Sequence, residues 1–252
     1  MRIGKSVVAV DLHTHSVASG HAFSTLYELA VEARKRGVKV LGVTDHGPDM
    51  EGAPTPGFFE MVSRFPRLID GVHVLFGCEA NILSPRGEID IAQNTAEQLH
   101  VVLAGLHERT SYGSPRTHSI KDNTDAIVEA IKNPNIDFIS HPFRDPFPID
   151  VNDVVSAACD YNKGLEVNAA LFRGIFTRKN DPSNDGTIVA TRQMVRRLED
   201  RNGLLIINSD AHHIYELGVD KQLMDLLGYH LEFDVQTVVK RQNNFASRYM
   251  LA

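Results

Sequence analysis

The chain has 252 residues, of which 42% are hydrophobic and 23% are charged, as expected of a globular protein with one substantial core. Its net charge of −6 and its scattered basic residues make nucleic acid an unlikely partner. No apolar run approaches the roughly 20 residues of a membrane span. The first residues lack the pattern of a secretory signal, so we expect a cytoplasmic protein with no membrane partner. The two cysteines, Cys78 and Cys159, form no CxxC pair and indicate neither a disulfide framework nor a thiolate zinc site.

Short β-branched runs alternate with helical patterns along the chain. The predicted strands are Val7–Leu12, Val38–Thr44, Val72–Cys78, Val101–Leu106, Ile136–Ser140, Gly164–Val167 and Leu204–Asn208. The predicted helices are Leu26–Arg36, Thr124–Lys132, Val151–Tyr161, Thr187–Asn202, Glu216–Leu227 and Val235–Tyr249. The first helix has a capping box formed by Thr25 and Glu28, and Gly37 ends it.

The strand pattern indicates an α/β fold with a parallel sheet. Several strands are nearly continuous apolar runs, as expected of parallel strands that are covered on both faces. About seven βα repeats predict one barrel near the TIM size, and no linker or repeat divides residues 1–252. A doubly wound open sheet is the alternative.

The first strand ends in a motif that suits metal binding. Asp11, His13 and His15 alternate with apolar or small residues, and alternate residues of a strand share one face. The two imidazoles can therefore converge on one metal ion. Asp11 lies beneath them as a hydrogen-bond acceptor that would orient a histidine ligand. An HxH pair also occurs by chance, so this motif alone indicates a single site.

Further histidines and acids recur where other predicted strands end. They are Asp45 with His46, then Glu79, His107, His141 and the pair Asp210 and His212, while His21 lies in the loop after the first strand. Because parallel barrel strands open onto one rim with their carboxyl ends, we expect these side chains to meet there. His73, His100, His118, His213 and His230 are expected to be structural or surface residues.

Nine candidate ligands exceed what one or two sites would use while leaving room for water and substrate. Three divalent metal ions fit better, provided that a carboxylate bridges two of them. Imidazole-rich ligation without thiolate suits zinc, manganese or iron, and zinc is the first choice.

These motifs resemble the PHP superfamily, named for polymerase and histidinol phosphatase. The resemblance rests on Asp11-Leu12-His13-Thr14-His15-Ser16, Thr44-Asp45-His46, Gly77-Cys78-Glu79, His107, His141-Pro142 and Ser209-Asp210-Ala211-His212. Ala18–Thr25, Thr44–Met50 and Glu79–Ile82 are similar to the short stand-alone YcdX-type phosphatases. The resemblance implies a distorted (β/α)7 barrel with three zinc ions. Trimers are known in the YcdX-type phosphatases, so it also implies a possible homotrimer.

The resemblance also implies an assignment of the ligands. His13, His15, Glu79 and Asp210 would hold the first metal. Glu79 would bridge to the second, which His107 and His141 complete. His21, His46 and His212 would hold the third. This chain differs from the family pattern after His141-Pro142 and after Asn168, at positions where polar residues could line a pocket. These differences bear on the substrate preference and not on the metal ligands.

The expected reaction is hydrolysis of a small phosphate monoester. Three divalent ions and two carboxylates leave the cluster at about +4, which attracts a phosphate dianion. A hydroxide between two metals would be the nucleophile. Four acids are expected to act in catalysis. Glu79 and Asp210 would do so as metal ligands, and Asp11 and Asp45 would orient histidines or take up protons. A role as a helix or turn cap is equally compatible with Asp45. Arg116, Arg144 and Arg173 are candidate substrate contacts, but the sequence favours a solvated loop position for all three.

Three alternatives remain open from the sequence. A phosphodiesterase or nuclease needs a groove for a second nucleotide, which the acidic balance disfavours. An amidohydrolase-like enzyme commonly supplies a carboxylated lysine, and no lysine convincingly ends a strand. A non-catalytic metal-binding module is the third alternative.

Overall fold

A computed structural model describes residues 4–114, 117–178 and 182–250. Its strands, in chain order, are β1 Val10–Asp11, β2 Val40–Val43, β3 Leu68–Ile69, β4 Val72–Asn81, β5 Val101–Gly105, β6 Phe138–Ile139, β7 Gly164–Asn168 and β8 Leu204–Asn208. Seven of them pair in parallel in the order β1-β2-β4-β5-β6-β7-β8, and β3 pairs antiparallel with β4. The strand order follows the chain order, as a βα barrel requires.

Helices surround this sheet. They are α1 Leu26–Arg36, α2 Pro56–Phe59, α3 Gln93–Ala96, α4 Ile120–Ile131, α5 Val151–Asp160, α6 Ala169–Arg178, α7 Gly186–Asp200, α8 Lys221–Leu231 and α9 Val235–Met250. Helix α1 has the predicted bounds, and both hydrogen bonds of its predicted capping box are present. The predicted barrel class is confirmed: the parallel sheet is nearly closed.

The barrel closes between β1 and β8 by indirect contacts. Beyond the strand ends, Thr14 pairs in parallel with Ala211 as an isolated bridge. The side chain of Gln242, on α9, accepts from the N–H of Ile207 at 3.0 Å and donates to the carbonyl of Val10 at 3.3 Å. Because this side chain is buried, it satisfies backbone groups that a regular strand pair would have joined.

An apolar core fills the barrel interior below the polar rim. It includes Val10, Leu12, Leu75, Leu103, Phe138 and Ile206, and Ala246 of α9 packs against it. A larger apolar layer lies between the sheet and the outer helices. The interior is therefore packed, and the site can form only at one end of the barrel. Within the described ranges, no helix combines the length and apolar character needed to cross a membrane.

Several element predictions were wrong in detail. Strand β4 continues through Glu79 to Asn81, so Glu79 lies within a strand. Helix α8 begins at Lys221, later than predicted, because Ile214–Glu216 forms a separate 3-10 turn. Helix α6 and strand β3 were not predicted. His230 lies inside α8, not in a connection.

Candidate metal centre

The nine predicted ligands all lie at the carboxyl end of the barrel. Six are buried: His13, His15, His46, Glu79, His107 and His141. Asp210 and His212 are half-buried and His21 is exposed. The short loops that follow β1, β2, β5, β6 and β8 carry the histidines, so the sheet itself sets their spacing.

Glu79 lies at the centre of the cluster, and five imidazoles surround its carboxylate. Its Oε1 is 2.8 Å from His141 Nε2, 3.0 Å from His107 Nε2 and 3.2 Å from His13 Nε2. Its Oε2 is 2.9 Å from His46 Nδ1 and 3.4 Å from His15 Nε2. A carboxylate that approaches five rings through both oxygens could contact more than one metal ion.

Asp210 and the remaining histidines complete the rim. Asp210 Oδ1 lies 3.0 Å from His15 Nε2 and 3.4 Å from His13 Nε2. The ring of His21 stacks against those of His46 and His212, with centroid separations of 4.9 Å in both cases. His21 is thus brought to the cluster from the loop after β1.

Three overlapping sets of residues could each hold a metal ion, because the donor atoms within each set lie within 4.8 Å of one another. They are His13 with His15 and Glu79, His46 with Glu79 and His107, and His15 with His46 and His212. The first set falls within the predicted first site. The other two divide His15 and His46 differently from the predicted assignment, because these rings lie 4.3 Å apart and stack.

Five nitrogen and oxygen atoms of the cluster are buried without a hydrogen-bond partner among the described residues: His46 Nδ1, His107 Nδ1, His141 Nδ1, Glu79 Oε2 and Asp210 Oδ1. His46 Nδ1 and Glu79 Oε2 are neighbours at 2.9 Å, yet their angles do not make a hydrogen bond. Buried polar atoms normally have partners. These nitrogen and oxygen atoms therefore suit a divalent cation that takes imidazole and carboxylate ligands.

Burial and the charges of neighbouring groups together set the protonation of the cluster. Burial alone would raise the pKa of Glu79, but its interactions with the rings of His13, His107 and His46 hold it well below its usual range. Burial likewise opposes ionisation of Asp210, and His13 and His15 lower its pKa. Burial lowers the pKa of His107 to about 4. The carboxylates are thus ionised, and this imidazole is neutral, as metal ligands must be.

Glu166, on β7, is a site residue that the sequence analysis missed. Its Oε1 lies 2.9 Å from His13 Nδ1, and its Oε2 accepts from the backbone N–H of His141 at 2.9 Å. Asn168 donates to both Glu166 and Asp210, at 3.1 and 3.0 Å. Glu166 and Asn168 alternate with apolar residues on a strand, and this alternation was the available signal.

Asp45 is linked to His15 through a serine. Its Oδ1 accepts from Ser19 Oγ at 2.7 Å, and Ser19 Oγ lies 3.0 Å from His15 Nδ1. The same carboxylate accepts from the N–H of Ser16 at 2.8 Å. Asp45 therefore contacts both serines of the turn after β1 and reaches His15 only through Ser19, and its role in orienting the histidine stays a prediction.

Asp11 does not contact a histidine ring in the way expected. Its carboxylate accepts from the backbone N–H groups of Ser209 at 3.0 Å and Gly218 at 2.9 Å. Strand β1 ends at Asp11, so the side chain points into the gap between β1 and β8. Asp11 therefore positions the segment that carries Asp210 and His212.

Two residues of the cluster have left-handed backbone conformations. His141 has a φ of 29° and Asp210 a φ of 52°. Such conformations are uncommon outside glycine and concentrate at functional sites, where the surrounding structure must hold them. Here the hydrogen bond from His141 N–H to Glu166 is one such restraint.

The histidines set aside in the sequence lie elsewhere. His73 is the second residue of β4 and His100 precedes β5, at the opposite end of the barrel. The Nε2 of His118 is 2.7 Å from the carbonyl of Tyr112. His213 caps the 3-10 turn by accepting from Tyr215 N–H. His230 is buried and stacks on Phe176.

The three arginines differ from one another. Arg173 is not a solvated loop residue: it lies on α6 and donates to the carbonyls of Glu216 at 2.9 Å and Gly218 at 2.6 Å. Arg144 lines the cavity over the cluster. Arg116 lies outside the described residues.

A cavity of about 710 Å³ opens above the donor atoms, and we call it the metal-site cavity. Its walls include His21, His46, His107, His141, Asp210 and His212, together with Arg109, Arg144 and Leu171. The volume suits a small molecule.

The chain belongs to the PHP domain family, whose pattern matches residues 11–170. A probable phosphatase from Proteus mirabilis is 35% identical over 230 residues, which cover 91% of this chain and 89% of that protein. A probable phosphatase from Citrobacter koseri is 38% identical over 209 residues, which cover 83% and 80%.

Solved structures show the same fold. The histidinol phosphate phosphatase of Lactococcus lactis, solved with zinc, L-histidinol and phosphate, superposes with a TM-score of 0.59 at 16% identity and covers 93% of each chain. The putative histidinol phosphatase of Listeria monocytogenes gives a TM-score of 0.58 at 14% identity, covering 83% of this chain and 97% of that one. At this identity the likeness concerns the fold alone.

Proposed function

We propose that this protein is a metal-dependent phosphatase that hydrolyses small phosphate monoesters at a centre of three divalent cations. The observation that carries the proposal is the convergence of seven imidazoles with the carboxylates of Glu79 and Asp210, at the floor of an open cavity. The names of the relatives and the zinc and phosphate in the Lactococcus lactis structure agree with it.

The donor set would divide among three ions. We assign His13, His15, Glu79 and Asp210 to the first, Glu79 with His107 and His141 to the second, and His21, His46 and His212 to the third. Zinc is our first choice, because the ligands are imidazole and carboxylate without thiolate. Bound divalent cations would lower the pKa of a water molecule and neutralise charge on the phosphate.

The protein's own groups then hold this arrangement. Glu166 accepts from His13 Nδ1, which leaves His13 Nε2 free to bind. Asp45 acts on His15 in the same way through Ser19. Hydrolysis forms a new P–O bond to a water oxygen and breaks the ester P–O bond, and the alcohol leaves with a proton from that water.

The test combines elemental analysis with turnover. The purified protein should contain close to three equivalents of zinc, manganese or iron, and should release phosphate from 4-nitrophenyl phosphate only when a divalent cation is present. Asp210→Asn should reduce kcat/KM by at least about a hundredfold, because it removes a ligand charge shared by His13 and His15.

His73→Gln, at the opposite end of the barrel, is the matched control and should retain activity. No turnover of any phosphate ester with zinc, manganese or iron would contradict the proposed function. Two bound ions instead of three would contradict the trinuclear assignment alone.

A further inference from the structure

A second cavity of about 730 Å³ adjoins the metal-site cavity, and we call it the side cavity. The two share Arg144 and Leu171 as walls. These two residues thus form the boundary between the cavities, and a molecule whose phosphate lies over the metal cluster would pass them to enter the side cavity. Each cavity has a volume in the range of sites that hold one small molecule.

The walls of the side cavity are mainly apolar. They include Phe143, Pro146, Pro148, Ile149, Ile175 and Ala190. Four charged residues also line it among those that the structure describes, and their formal charges cancel: Arg144 and Arg178 against Asp145 and Asp185. A second phosphate or another strongly charged group would gain no net attraction there, whereas apolar surface would be removed from water.

Arg144 stands at the boundary between the two cavities. Among the described residues its guanidinium forms one ion pair, with Glu108, at an Nη2–Oε2 distance of 3.7 Å. This separation is longer than a hydrogen bond. The side chain is 27% exposed, so its N–H donors can reach an anionic oxygen in the metal-site cavity.

We infer that the side cavity holds the alcohol portion of the substrate, that this portion is uncharged and apolar (a ring or a branched chain), and that Arg144 binds an oxygen of its phosphate. The inference rests on the proposed phosphatase function and adds the substrate class to it. Leu171, Ile175 and Ala190 would then determine specificity, because they form the wall that the alcohol contacts.

The first experiment compares two phosphonates, which are not hydrolysed, on the zinc-loaded protein. We expect (1-naphthylmethyl)phosphonate to bind at least tenfold more tightly than methylphosphonate in isothermal titration calorimetry, since only the larger compound reaches the side cavity. Equal affinities would overturn the inference and leave the phosphatase function intact.

The second experiment fills the side cavity from α7. Ala190→Phe places a ring in this cavity, away from the metal ligands, and should lower kcat/KM for 1-naphthyl phosphate at least tenfold. It should leave kcat/KM for glycerol 3-phosphate and the affinity for inorganic phosphate unchanged. Val189→Phe, on the same helix but 47% exposed, is the control and should change neither substrate.

The third experiment, Arg144→Gln, tests the contact with the phosphate separately from the contacts in the side cavity. It should weaken methylphosphonate and the naphthyl compound by the same factor, because both present the same oxygens. If Ala190→Phe changed kcat/KM for both esters by the same factor, with the fold intact by circular dichroism, the inference would be overturned. Failure of both esters to turn over would contradict the proposed function, while the phosphonate comparison still decides the inference.

Discussion

Glu166 joins two histidine-bearing segments through a single carboxylate. Its two oxygens lie within hydrogen-bond distance of four nitrogens: His13 Nδ1, the N–H of His141, and the side-chain amides of Asn168 and Asn208. Burial would raise the pKa of Glu166, but the charge of His13 and its hydrogen bond lower it below its usual range. An ionised carboxylate is required, since only that form accepts at both oxygens.

We predict that Glu166→Gln weakens metal binding without unfolding the protein. The amide keeps one acceptor oxygen and adds two donors, so at least one of the four nitrogens loses its acceptor. Loss of such an outer partner typically costs about 10- to 100-fold in metal affinity or activity. Competition with a chromogenic chelator should show one equivalent of zinc leaving at lower chelator concentration, with a matching fall in kcat.

Glu129→Gln is the control, because this glutamate lies on the surface of α4, where its contact with Lys132 is exposed. It should bind zinc as the wild type does. Unchanged zinc affinity and activity in Glu166→Gln would show that Glu166 is only a packing residue.

For individual residues, the sequence predicts where the candidate ligands lie better than it predicts the residues that hold them in place. His13, His46 and His107 could be placed because each follows an apolar strand, and the ends of parallel strands share a rim. Glu166 could not, because its partner His13 is 153 positions away and the pairing depends on barrel closure. Asp11 was misassigned for a related reason: alternation gives the face of a strand but not the element across from it.

Among the elements, β5 has a terminal glycine that makes room for two imidazoles. A Cβ at Gly105 would lie 2.5 Å from Ser140 Oγ, 3.0 Å from His141 Cε1 and 3.2 Å from His107 Cε1. The serine can rotate away, but both rings are held against Glu79. We predict that Gly105→Ala displaces them and lowers kcat/KM at least tenfold, since sub-ångström misplacement of a catalytic centre is costly.

Gly57→Ala is the matched control, because a Cβ there meets nothing within 4 Å. It should leave activity unchanged, and thermal melts should show both variants folded. Full activity in Gly105→Ala would indicate that the two rings have room to shift without loss of function.

The elements that the sequence predicts well are those with local signals. Helix α1 has both caps in the sequence, and β8 is a continuous apolar run that begins and ends as predicted. Helix α6 was missed although Asn168 caps it by accepting from Leu171 N–H at 3.0 Å. Because Asn168 also ends β7, strand and helix meet without a loop, and no turn signal separates them.

At the scale of the whole molecule, the barrel brings buried carboxylates and imidazoles together at one rim, and their charges compensate one another only in part. Burial alone would lower the pKa of His13, but Glu166, Glu79 and Asp210 raise it well above its usual range. Burial and the neighbouring His46, by contrast, lower the pKa of His15. Bringing these groups together costs desolvation energy. Bound cations would offset it by pairing with the ionised carboxylates, and His13 would release its proton on binding.

We therefore predict that removing the metals lowers the melting temperature of the whole barrel, since its rim joins segments from β1 to β8. A single ion at a hundredfold excess over its Kd stabilises the folded state by about 2.7 kcal/mol. In a domain of this size that corresponds to about 5 to 10 °C. Differential scanning calorimetry after dialysis against a chelator should show this fall, and zinc should reverse it. Magnesium, which prefers oxygen ligands, should not. Equal melting temperatures with and without zinc would show that the cluster is stable without cations.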